Sequence, residues 1–192
     1  MFDHMSYRLR WLADPDNPSN NDAGQFGVEI HRMNNGTTWR VLGVHHLTPS
    51  ENQSKHNVYV DIVGSSHQAS IGWTWIGRKA DEANPNKPLD KPNNEPNGNV
   101  DLYPSMNAQV WINDLNMSDR VFGLRTDLPE GKGPNGEIWN SYGHHSFYIL
   151  FKLTETIMSP VINDASTELQ RVRKELSSLR AQLDRLIESI GG

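Results

Sequence analysis

Between Tyr7 and Leu153 apolar residues recur at every second position in about eight short runs, and no useful helical spacing appears before residue 160. Alternation of period two gives each run one side for a core and one for solvent, the pattern of a half-buried strand. "YRLRWL" puts Tyr7, Leu9 and Trp11 on one side, and "QFGVEIHR" does the same with Phe26, Val28 and Ile30. The turn residues Asn34 to Gly36 then lead into "TWRVLG" with Trp39 and Val41, which predicts a hairpin. Further runs place Val58, Val60 and Ile62 together, then Ile71, Trp73 and Trp75, then Val110 and Ile112. "DRVFGLR" is a weaker strand, and "HSFYILFKL" alternates Phe147, Ile149 and Phe151. This spacing predicts an all-β, antiparallel sandwich of Ig-like or jelly-roll type over residues 6–153.

Three long polar stretches interrupt the strands: "ADPDNPSNNDAG", the segment from Arg78 to Asp101, and "TDLPEGKGPNGEIWNSYG". Their Pro, Asn and Asp residues fix backbone locally, so they read as ordered loops forming a surface at one end or side.

The chain ends differently. Residues 154–165 read as a linker, with Pro160 stopping any helix from the last strand, and residues 166–190 as a coiled-coil helix that Thr167 and Gln170 cap. With Leu169 at heptad position a, that position carries Leu169, Leu176, Leu183 and Ile190, and position d carries Val172, Leu179 and Leu186. Glu168 and Glu175 fall at g, Arg173 and Arg180 at e, the pairing of a parallel coiled coil. So narrow a stripe suits a seam between chains better than a helix lying on its own domain. Ile187 at e widens the stripe and favours a trimer over a dimer. A homo-oligomer of this kind would display several copies of the sandwich at one end of a rod.

Composition excludes several classes. A net charge of -5 with scattered basic residues argues against nucleic acid as a partner. No apolar run is long enough for membrane insertion. With no cysteine there is no thiolate chemistry and no disulfide, and the compartment stays open on that ground. "MFDHMSYRLRWL" lacks the apolar core of a signal peptide, and two starts stay open, Met1 or Met5 with "MFDH" as a remnant ahead of it.

Parity also picks out candidate ligand contacts. Tyr59, Trp111 and Tyr148 fall opposite the core residues of their strands, and outward aromatics on a sheet can stack on sugar rings. Trp139, in a loop, joins them as a ligand-binding candidate, whereas Trp73 and Trp75 read as core. The doublets His45-His46 and His144-His145 invite a zinc reading, but adjacent strand residues point to opposite faces. A metal would need one His from each doublet, or His56 as a third; the simpler expectation is one buried, hydrogen-bonded His per pair, the other capping a loop. Asp81, Glu82, Asp90, Glu95 and Asp101 match no calcium-loop spacing, and no pair of carboxylates reads as a glycosidase. Neither a metal, a cofactor nor a catalytic residue is therefore predicted.

The runs "GVHHLTPSENQSKHNVYVDIV", "IGWTWIGRKADE", "LDKPNNEPNGNVDLYP", "SDRVFGLRTDLP" and "GHHSFYILF" resemble the Ig-like β-sandwich modules at the C-terminal ends of some bacterial peptidoglycan hydrolases, particularly lysozymes of glycoside-hydrolase type. The resemblance spans Tyr7 to Leu153 and implies an accessory, glycan- or cell-wall-binding role. The expectation is thus a non-catalytic module for a glycan or cell-surface polymer, displayed as a coiled-coil oligomer at an extracellular, cell-surface or virion location, with the cytoplasm left open. Two alternatives accompany it: a structural or assembly protein of a phage-like fibre, and a metal-dependent enzyme using the His doublets.

Overall fold

The computed structural model describes residues 2–33, 36–64, 68–75, 86–92, 94–154, 172–176 and 180. The chain divides into two compact units, Met1–Thr156 and Ile157–Gly192.

The first unit is built mostly from strands. One five-stranded sheet runs β1 (Glu29–His31), β9 (Arg120–Arg125), β7 (Asn107–Asn113), β4 (Ser70–Trp75) and β5 (Lys87–Pro88), in that spatial order. The other runs β6 (Gly98–Asp101), β3 (Asn57–Val63), β12 (Phe147–Thr154), β2 (Thr38–His46) and β8 (Met117–Ser118). A short hairpin, β10 (Gly131–Lys132) with β11 (Ile138–Asn140), stands apart. Val41, Val44, Val58, Val60, Phe147, Ile149 and Phe151 of the second sheet share one apolar cluster with Ile71, Trp73, Val110, Ile112, Val121 and Leu124 of the first. Two sheets joined through such a cluster are arranged as a β-sandwich. The period-two runs from Asn57 onward thus lie where their alternation puts them.

Three expectations change. The sheets are not purely antiparallel: β12 runs parallel to β3, and β2 parallel to β8. Second, "YRLRWL" is no strand. It lies within helix α1 (His4–Ala13), whose N-cap Asp3 accepts from the Ser6 N–H. Phe2 and His4 are buried, so the first residues belong to the fold rather than trailing from it. Tyr7 and Trp11, four apart, share one face of this helix. Trp11 lies over β2 at Gly43, where a Cβ would collide with the indole, and stacks on Tyr148 at 5.4 Å. Phe2, Trp11, Leu42, Leu47, Tyr148 and Leu150 make a second core on the outer side of that sheet, with Tyr7 and Tyr59 packed against it.

Third, β1 and β2 do not form a hairpin. They enter different sheets, β1 pairing with β9 and β2 with β12 and β8. Asp119, fully buried between β8 and β9, holds this crossover. Its carboxylate accepts from Arg32 Nη1 at 2.8 Å, the Met33 N–H at 2.8 Å and the Val41 N–H at 3.0 Å, while its own N–H donates to the Trp39 carbonyl at 2.9 Å. Turn chemistry between two apolar runs cannot tell a hairpin from a passage between sheets; the distant carboxylate decides it.

Of the second unit, residues 172–176 and 180 are helical, and Val172 and Leu176 are 44% and 61% exposed. Leu169, Leu179, Leu183, Leu186 and Ile190 lie outside the described residues, as do most of the linker and all of the 78–85 stretch.

Candidate functional site

The expected aromatic platform does not form. Tyr59 and Tyr148 are register partners on neighbouring strands, whereas Trp111 lies on β7 of the other sheet, so they occupy opposite outer faces. Tyr148 is 0% exposed beneath α1, and its hydroxyl donates to Asp61 at 2.7 Å. Tyr59 is half-buried with its ring 5.3 Å from Phe2. Trp111 covers Gly72 and carries the Arg120 guanidinium at 4.6 Å from its ring. Trp139 lies over Gly133 in the β10–β11 hairpin. A flat, open sugar platform from these four is not what the fold provides.

The His doublets and two of the polar loops come together instead. The chain from Asp22 to Phe26 forms a 3₁₀ turn beside the end of β2. Helix α2 (Pro49–Asn52) follows β2 after a short turn, and Asn140 at the end of β11 ties the third loop in by donating to the Leu47 carbonyl at 3.2 Å and accepting from Asn52 at 2.7 Å. Between them opens a cleft of about 400 Å³, lined by Asp22, Gln25, Phe26, His46, Glu130 and His145 among others.

Its floor is a hydrogen-bonded relay. His45, only 5% exposed, meets Asp22 through Nδ1 at 2.7 Å and Glu51 through Nε2 at 2.9 Å. Burial opposes the charged ring, but the bonds to Asp22 and Glu51 more than offset it and raise its pKa to about 9. Glu51 also accepts from the Thr48 N–H at 2.8 Å, the Thr48 hydroxyl at 2.7 Å and the Tyr7 hydroxyl at 2.8 Å. Burial alone would raise Glu51; the donors, His45 foremost, bring it down to about 2. Tyr7 stacks on the His45 ring at 4.2 Å, so α1 helps fix this charged group. The remaining oxygen of Asp22 accepts the His46 N–H at 3.2 Å.

One His from each doublet meets above this floor. His46 Nε2 lies 3.1 Å from His145 Nδ1, the rings near-parallel at 5.3 Å. Both are held neutral: burial, with His145 next, lowers His46 to about 4, and burial also lowers His145 against the Leu128 carbonyl, which favours its proton. Nδ1 of His145 is the nitrogen that faces His46, and its Nε2 is buried with no hydrogen-bond partner among the described residues. The Phe26 ring packs on His46 at 4.2 Å. His144, the other doublet member, pairs with the Ser141 hydroxyl at 2.8 Å and holds its loop.

No group of three or more His, Cys, Asp or Glu able to hold a metal ion occurs among the described residues. The doublets were visible in the sequence; Phe26, Asp22 and Glu130 were not singled out, because their role depends on loops folding over the end of β2. No protein-family description, curated protein or solved structure matches the chain.

Proposed function

We propose that this chain is a non-catalytic binding module whose cleft takes a saccharide unit of a glycan or cell-surface polymer, and that its C-terminal helix gathers copies into a parallel coiled-coil oligomer. The cleft carries the reading. It offers one half-buried aromatic ring, Phe26, next to the polar groups of Asp22, Gln25, His46 and Glu130. A sugar ring needs this combination, an apolar face for its C–H groups and polar partners for its hydroxyls. His45 is committed to Asp22 and Glu51, His46 and His145 meet each other, and the Ser141 hydroxyl pairs with His144, which is not among the residues lining the cleft. That supports binding over chemistry.

Exposed Val172 and Leu176 support the assembly half of the reading, since a heptad seam needs a partner to cover it. Multivalent display would raise weak single-site affinity by about 10²–10⁴ where geometry allows. The Ig-like accessory modules that the sequence resembles would act in the same way. Glycan-array binding by the full chain that is lost in Phe26→Ala, with thermal stability unchanged, is the expected result; no binding to any glycan would overturn the reading.

A second reading, assembly within a fibre, draws on the β7–β8 turn, where Leu115 is 91% exposed and Met117 43%. A protein contact abolished by Leu115→Asp, together with failure to bind glycans, would favour it.

A further inference from the structure

We infer that the cleft selects saccharides bearing a protonated amine and rejects those bearing a carboxylate, an inference that rests on the saccharide-binding reading above. The charges come first. Asp22 and Glu130 line the cleft and Glu51 lies directly behind His45, so three carboxylates stand against one imidazolium. No Lys or Arg lines the cleft among the described residues; Lys132, one residue beyond Gly131, is exposed and outside the lining. Arg125 is committed to Asp127 by two hydrogen bonds of 2.8 and 2.7 Å.

Hydrogen-bonding capacity points the same way. The one cationic group, His45, spends both ring nitrogens on Asp22 and Glu51. The Asn140 amide is turned to Leu47, and the Thr48 hydroxyl donates to Glu51. What faces an incoming ligand is therefore dominated by acceptors, the Asp22 and Glu130 carboxylates. Gln25 adds a side-chain amide to the lining. An ammonium group has three donors and no acceptor and complements that set. A carboxylate or phosphate brings only acceptors, and meets like charge in a partly desolvated site. The neutral His46–His145 pair keeps a second positive charge out of the cleft at neutral pH, which an amine-bearing ligand requires.

Isothermal titration of the full chain, slightly below neutral pH, tests this with three probes: a glucosamine tetramer, its fully N-acetylated counterpart, and a uronic acid oligomer. The amine-bearing tetramer is expected to bind about tenfold or more tightly than the acetylated one, a preference that weakens with added salt, and the uronate not at all. Glu130→Gln, an exposed position, should cut the preference severalfold without lowering the melting temperature. Equal affinity for the acetylated tetramer, tighter binding of the uronate, or an undiminished preference in Glu130→Gln overturns the inference while leaving saccharide binding standing. No binding of any of the three, nor of other glycans on an array, overturns both.

Discussion

The Tyr148 hydroxyl donates to the Asp61 carboxylate at 2.7 Å, with both side chains fully buried beneath α1. Asp61 also accepts from the Asn97 N–H at 2.8 Å and faces Arg8 at 3.6 Å and His4 at 3.9 Å. Burial foremost, then the Asp61 charge and this bond, push the phenol well above its usual range. Tyr148→Phe keeps the ring stack with Trp11 but removes one donor from a buried carboxylate. It should cost about 1–3 kcal/mol in urea unfolding, with the fold retained.

Gly43 leaves the space that Trp11 occupies. Gly43→Ala puts a methyl group where the indole lies, so either the ring moves or α1 lifts from the sheet. A loss of about 3 kcal/mol is expected, with a red shift of tryptophan emission, while Gly36→Ala, where a Cβ meets nothing within 4 Å, gives no such shift.

Stability should depend on pH through the relay. His45 holds its proton to about pH 9 in the fold against 6.5 as a free side chain. Its contribution is complete below about pH 6.5 and is lost as pH rises through 9, on the order of 3 kcal/mol. Glu51 works from the other end: its contribution is complete above pH 4.5 and lost as pH falls toward 2. His46 adds to the acid loss, because the unfolded chain takes up that proton between 6.5 and 4 while the fold does not. Urea midpoints against pH should therefore peak near 6.5, and His45→Gln should flatten the alkaline limb and, by removing the foremost donor to Glu51, weaken the acid limb as well.

Asp119 holds the passage from β1 to β2 with both oxygens of one carboxylate. Asp119→Ala leaves the Val41 and Met33 N–H groups without their acceptor and is expected to cost about 3 kcal/mol or more. Arg32→Ala, whose side chain is 44% exposed, should cost clearly less.

If the terminal helices associate, replacing exposed Val172 and Leu176 together by Glu converts the oligomer to single chains in light scattering and leaves the first unit's melting temperature unchanged. A full chain that is already monomeric at micromolar concentration would remove the multivalent half of the proposal.

What could be read from the residues followed from how local the signal was. β3 and β7 alternate because each buries one side on the shared cluster, whereas β12 is buried on both sides from Phe147 to Phe151, with Phe147, Ile149 and Phe151 in one core and Tyr148 and Leu150 in the other. Tyr7, Leu9 and Trp11 alternate as well, yet the four-residue step from Tyr7 to Trp11 is the meaningful one, and only Asp3 and Ser6 hinted at a cap. That single misreading hid the cover over Tyr148, and so placed a core residue among the ligand contacts. The His doublets showed themselves, and the expected loop-holding member is met in the second pair by His144, whereas His46 of the first meets His145 instead. Which members meet depends on β2 and β12 lying side by side with Phe147 opposite His46, a pairing no short window contains.

β12, the last described strand, is also the middle strand of its sheet, flanked by β3 on one side and β2 on the other. During synthesis those two neighbours leave the ribosome long before the segment that joins them. They must wait with unsatisfied edges while loops and the opposite sheet are made. Half the sandwich then closes in one late step, so a chain cut short before Phe147 yields sticky fragments rather than a smaller domain.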